Sequence, residues 1–269
     1  MKTEHLILDA ASVGVLRSHQ GQAIVVNHPV GYSLRTLAER GLVDCVIVDT
    51  EDGFSQLGGM RHFLSRDLGL AERNLVKYVL DGFPEELERN ISSLADWNRG
   101  RTPEVTLVAI PSERQGSHLR GLILAPYVGS ECYKQFSAPS YWRTYRDFMY
   151  NVTYEAIAYA YSSWGARRIG ITHFSRDKFN GQYHLDLTTC QVEAMVHFCA
   201  DHKGVESFTF LDDAKGNRPL EIVKTFNERK EIGVHRPIIT KSVQLWGIDF
   251  VDLEWPKPPR GIAPEPVRA

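Results

Sequence analysis

Val43–Met60, VDCVIVDTEDGFSQLGGM, holds the local pattern on which the fold turns. Val43–Val48 (VDCVIV) is a short apolar run rich in β-branched residues, the composition of a strand buried on both faces. It leads into the acidic segment Asp49-Thr50-Glu51-Asp52-Gly53, and Leu57-Gly58-Gly59-Met60 then opens a run in which Met60, Phe63, Leu64 and Leu68 follow helical spacing. In open α/β sheets, ligands bind beyond the carboxyl ends of the strands, where such a strand–loop–helix unit places its loop. A Gly-Gly pair at a helix N-terminus brings backbone N–H groups close to a phosphate. The same pair also serves a plain tight turn, and the residues alone leave both readings open.

Outward from this unit, strand-like and helix-like stretches alternate. Gln22–Asn27, Asn74–Leu80, Glu104–Ile110 and Leu119–Ala125 read as strands. Ser33 can cap a short helix ending near Gly41, and Pro84 suits the first turn of a helix carrying Leu87, Ile91 and Leu94. Tyr141–Trp164 reads as a long helix stopped by Gly165. Arg167–Phe174 (RRIGITHF) is a strand, Thr188 with Gln191 forms a capping box ahead of a stripe of Val192, Met195, Val196 and Cys199, and Ser207–Leu211 is a further strand. Pro219–Arg229 reads as a helix and Pro237–Trp255 as one or two late strands. The alternation predicts a three-layer α/β/α sandwich around a mixed, mostly parallel sheet. The expected organisation is an α/β domain over 1–215, a helix/strand extension over 216–255 and a Pro-rich tail over 256–269, whose prolines keep it extended.

The second polar loop follows Arg167–Phe174. His173 ends that strand, and Ser175-Arg176-Asp177-Lys178-Phe179-Asn180-Gly181 supplies two cations, an Asn and a Gly. These are the groups a phosphate loop needs, and also those of a solvated connection. The expected ligand-binding residues are therefore Gly58, Gly59, Met60, His173, Ser175, Arg176, Asn180 and Gly181. Glu51 and Asp52 are the candidates for a general base acting on bound water, against a reading as a solvent-facing acidic loop. The aromatic run Tyr141, Trp142, Tyr145, Phe148, Tyr150, Tyr154, Tyr159, Tyr161 fits core packing or a partner-facing surface.

A formal charge of −2 over 269 residues argues against general duplex nucleic-acid binding, which needs excess Lys and Arg. No apolar run approaches the ~20 residues of a membrane helix, and the N-terminus lacks the pattern of a signal peptide. Cys45, Cys132, Cys190 and Cys199 form no CxxC and read as reduced side chains of a cytoplasmic protein. No HExxH, GxSxG, Walker loop or GxGxxG occurs, so neither a metal nor an organic cofactor is expected.

The order of these units resembles the macro domain family. VDCVIVDTEDGFSQLGGM aligns without gaps with that family's "VDAIVNAAN", spacer, glycine-rich loop and helix. Leu122–Val128 (LILAPYV) is similar to its "VIHAVGP" strand, Tyr154–His173 to its "L..A...G..SIAFP" segment, and Ser175–Gly181 falls at its second phosphate-binding loop. The resemblance spans roughly Gln22 to Asp212. It implies a site for an ADP-ribose-like or other nucleotide-diphosphate ligand, with hydrolysis of that ligand as an activity of some members. This chain departs from the pattern at Asn27-His28, where the family has Gly-Asp, and at Glu51, where it has Asn. Those departures favour the alternative, a non-catalytic protein-interaction module on the same fold.

Overall fold

The computed structural model describes residues 13–17, 23–27, 34–51, 56–57, 105–111, 119–127, 139–172, 182–211, 224 and 243–247. The described strands are β1 (Val13–Arg17), β2 (Ala23–Asn27), β3 (Cys45–Glu51), β4 (Gln56–Leu57), β5 (Val105–Pro111), β6 (Gly121–Tyr127), β7 (Arg168–Thr172), β8 (Ser207–Leu211) and β9 (Val243–Gly247). The helices are α1 (Leu34–Glu39), α2 (Pro139–Trp164) and α3 (Gln182–Asp201). The strands form one sheet in the order β1-β2-β8-β7-β3-β6-β5-β9, with β4 paired to β3.

The pairs β2–β8, β8–β7, β7–β3, β3–β6 and β5–β9 are parallel. The pairs β1–β2, β5–β6 and β3–β4 are antiparallel, which gives the mixed, mostly parallel sheet expected. β3 is its centre. Val46, Ile47 and Val48 are all fully buried, so both faces of the strand are covered. On one face Cys45, Ile47, Ile123, Ile169, Ile171 and Phe208 join a single core with α2 and α3. On the other, Val46, Val48, Leu122 and Leu124 are also buried. The crossovers β6–α2–β7 and β7–α3–β8 run in one direction along the sheet, and β2–α1–β3 runs in the other. Right-handed crossovers then set α1 on the face opposite α2 and α3, which is the α/β/α layering.

The helices end as their sequences dictate. Gly41 stands at φ 66°, with its N–H on the Ala38 carbonyl and the Leu42 N–H on the Leu37 carbonyl, a Schellman end for α1. Gly165, at φ 63°, ends α2 with its N–H on the Tyr161 carbonyl. Along α2, Tyr145, Phe148, Val152, Ala156 and Ala160 recur on one buried face. The aromatic run is core packing for the greater part. Tyr145, Phe148 and Tyr150 are buried, the Tyr150 hydroxyl lies 2.7 Å from His197 Nδ1, and Tyr154 and Tyr161 both pack edge-on against Phe198 of α3.

The structure adds one strand and changes one expectation. β1 is a strand that no sequence pattern announced. The capping box at Thr188 is not a helix start: α3 already runs from Gln182, and Thr188 is buried within it. Gln191 instead donates its side-chain amide to the Thr172 carbonyl of β7. The expected late strand is present as β9 and joins the edge of the sheet, paired with β5 over Val105↔Val243 to Ala109↔Gly247. The expected helix from Met60, strand Asn74–Leu80, helix after Pro84 and Pro-rich tail lie outside the described residues, as does all of the expected Pro219–Arg229 helix except Lys224, which is helical.

Candidate functional site at the carboxyl ends of β3 and β7

β3 and β7 are parallel neighbours, paired over Cys45↔Ile169, Val46↔Gly170 and Ile47↔Ile171. From β3 the chain turns into β4, on the β7-facing edge of β3, and the next described strand, β5, lies on the β6 side of the sheet. From β7 the chain passes through α3 to β8, on the other side. β5 and β8, the strands that follow, thus lie on opposite sides of the β3–β7 pair, and at such a switch point an open α/β sheet has its ligand crevice, beyond the carboxyl ends of the strands.

Three side chains link the elements at these strand ends. The main-chain ladder stops at Ile47↔Ile171. Beyond it the Asp49 N–H donates to Thr172 Oγ1 at 3.0 Å, and the Thr172 hydroxyl donates to Asp49 Oδ1 at 2.8 Å. Gln191 Nε2, from α3, donates to the Thr172 carbonyl at 3.0 Å. All three residues are buried. Sequence reasoning missed Asp49 and Thr172. Asp49 stood inside an acidic run read as loop, and Thr172 was one hydroxyl in an otherwise strand-like stretch.

β4 fixes what lies above. Thr50 and Glu51 pair with Leu57 and Gln56 on one edge, while Thr50↔Pro126 and Glu51↔Tyr127 occupy the other. A strand has two edges, so β4 takes the edge that faces β7, beyond the end of β7 itself. The residue before Gly58 and the residue before His173 thus stand on the same side of β3. Of the expected site residues, Glu51 is described through its backbone: it is the last residue of β3, at the carboxyl end of the central strand. Asp52, Gly58, Gly59, Met60, His173, Ser175, Arg176, Asn180 and Gly181 lie outside the described residues.

The opposite, amino end of β3 carries a different carboxylate. Asp44 accepts the Arg167 N–H at 3.1 and 3.2 Å and the Arg168 N–H at 3.0 Å, and lies 3.5 Å from Arg168 Nε. Burial pushes its carboxyl above the ordinary value, against the pull of those two N–H groups and of the Arg168 and Arg120 charges. It ties β3 to β7 at the end away from the crevice and reads as structural. Cys45, Cys190 and Cys199 are free thiols buried in the core. Burial pushes Cys199 up to about 12 and Cys45 well above its ordinary value, so neither supplies a thiolate nucleophile. Among the described residues no group of three or more His, Cys, Asp or Glu is placed to hold a metal ion, and no helix is long and apolar enough to cross a membrane.

No protein-family model and no curated protein matches the sequence. Solved structures do match. A variant of the Oceanobacillus iheyensis macrodomain superposes with a TM-score of 0.50 at 11% identity, covering 81% of this chain and 96% of its own. The fold is macro domain-like. A second variant of the same macrodomain gives a TM-score of 0.48 at 11% identity, covering 83% of this chain and 95% of its own. The macrodomain of Mycobacterium tuberculosis DarG gives 0.35 at 9% identity, covering 70% and 97%. The macro domain-like sheet thus agrees with the order of motifs read along the sequence, with β3 as the strand of the VDCVIVDTE segment.

Proposed function

We propose that the protein binds an ADP-ribose-like or other nucleotide-diphosphate ligand over the carboxyl ends of β3 and β7. The observation that carries this reading is the strand order: two central parallel strands whose following strands, β5 and β8, lie on opposite sides of the pair, on a macro domain-like sheet, each followed in sequence by a polar, glycine-bearing segment. In this reading Gly58, Gly59 and Met60 offer backbone N–H groups to the pyrophosphate. Residues His173, Ser175, Arg176, Asn180 and Gly181 close over it from the β7 side, the Arg176 guanidinium opposing its charge. Glu51 or Asp52 activates water if the ligand is hydrolysed. Neither step calls for a cofactor.

Calorimetric titration with ADP-ribose, AMP and NAD tests the reading. Wild-type protein should bind ADP-ribose, and ligand at 100 times its dissociation constant should add about 2.7 kcal/mol of stability. Gly59→Val should weaken binding by roughly 10- to 10⁴-fold, since it costs one or two charge-assisted bonds of about 1.5–3 kcal/mol each. Glu51→Gln separates two roles. A base lost from the site lowers turnover and leaves binding intact, whereas a carboxylate that merely repels the pyrophosphate gives tighter binding when neutralised. Absence of heat with all three nucleotides would sink the reading and leave the protein-interaction module in its place.

A further inference from the structure

The β3–β7 ladder ends in an unusual way for two adjacent central strands. After Ile47↔Ile171 the next cross-strand bonds are made by a side chain, the Thr172 hydroxyl, which accepts from the Asp49 N–H and donates to the Asp49 carboxylate. That leaves the Thr172 carbonyl without a place in the β3 ladder, and Gln191 of α3 takes it. Immediately above, Thr50 and Glu51 turn the same edge of β3 to β4. One residue therefore sits where β7 stops, β3 continues and β4 begins, with one polar group on each of two neighbouring elements.

We propose that Thr172 is the positioning residue of the crevice: through Asp49 and Gln191 it holds the carboxyl end of β3, the end of β7 and α3 in one fixed relation. This rests on the nucleotide-ligand reading for its functional consequence, not for its geometry. Thr172 touches no ligand in this account. It sets the directions in which the chain leaves β3 and β7, and a site assembled from two strand ends loses affinity when those ends drift. The pairing is suited to the task because it is short-range, doubly hydrogen-bonded and buried, so water does not compete for it. A plain Ile or Val at the end of β7 would pack as well and hold nothing.

Thr172→Val keeps the shape and removes the hydroxyl; Thr172→Ser restores it. Ile157→Val, a buried substitution in α2, serves as a control that loosens the core without touching the strand ends. ADP-ribose affinity should fall on the order of 10-fold or more in Thr172→Val, recover in Thr172→Ser and stay at the wild-type value in Ile157→Val. Hydrogen exchange supplies a readout that needs no ligand: Thr172→Val should speed exchange of the Asp49 amide and leave that of Ile47, still inside the ladder, unchanged. Wild-type affinity in Thr172→Val, or an equal loss in Ile157→Val, overturns the proposal. So does an Asp49 amide that exchanges as in the wild type. If wild-type protein does not bind ADP-ribose, the ligand reading fails and the exchange data alone decide the positioning role. If Thr172→Val does not fold, Gln191→Met, which releases only the Thr172 carbonyl, carries the same expectation in binding at smaller amplitude, and wild-type affinity there overturns the proposal.

Discussion

At the scale of single residues, Asp44 shows how a buried carboxylate can be both well bonded and costly. It accepts the Arg167 and Arg168 N–H groups, and its own N–H and carbonyl bond Arg168 and Arg120. Even so, desolvation outweighs these contacts and raises its pKa above the ordinary 3.8. Between 3.8 and the folded value the native state still holds a proton that the unfolded chain has released. Stability from this group therefore declines as pH rises through that interval, and is level above it. Asp44→Asn removes the titration. The stability difference between wild type and Asp44→Asn, followed by urea unfolding from pH 3.5 upward, should shift against the wild type as pH rises; a difference that shifts the other way would refute the assignment. Asp44→Ala should be the more damaging change, at roughly 1–3 kcal/mol for each buried donor left unpaired.

At the scale of elements, α2 depends on how it stops. Gly165 is in the left-handed region at φ 63°, and a Cβ there would meet Arg120 Nη1 at 3.0 Å. That guanidinium donates to the Trp164 carbonyl, the last of the helix. Gly165→Ala therefore pays backbone strain and also presses on the arginine that closes the helix end, for about 1 kcal/mol or more. For a chain of this size the melting temperature should drop by about 2–4 °C. Arg120→Ala in the wild-type background should cost less, because Gly165 keeps its conformation and solvent can bond the exposed carbonyl. Equal melting temperatures for Gly165→Ala and wild type would show that the turn is not limiting.

At the scale of the molecule, the sheet is finished by a strand from the far end of the chain. β9 covers β5 on the edge away from β6. Ending the chain at residue 242 would leave Val105–Pro111, a strand of mainly apolar residues, as an open edge. That truncation should lower the melting temperature and promote aggregation, read by light scattering. Deleting Pro256–Ala269 instead should leave the melting temperature within about 5 °C, because its prolines cannot extend a helix or a central strand. A larger loss from the short deletion would show that the tail packs on the body.

The sequence by itself determined the local identities. β-Branched apolar runs mark β3 and β7, the Phe-rich run SFTFL marks β8, 3.6-residue periodicity marks α2 and α3, and Gly165 marks the end of α2, because each depends on residues within one or two turns of one another. The order of those units also carried the macro domain resemblance, and with it the place of Glu51 at the end of β3. Only the tertiary structure decided the pairings. Asp49 and Thr172 are 123 residues apart, and neither has a local pattern that names the other. β9 reaches β5 across more than half of the chain, and Thr188 looked like a cap because a Thr-x-x-Gln pattern is the same inside a helix as at its start. Local structure follows from nearest-neighbour sterics and solvation. Which strand ends meet, and which hydroxyl is left to bridge them, follows from how the whole chain buries its apolar surface at once.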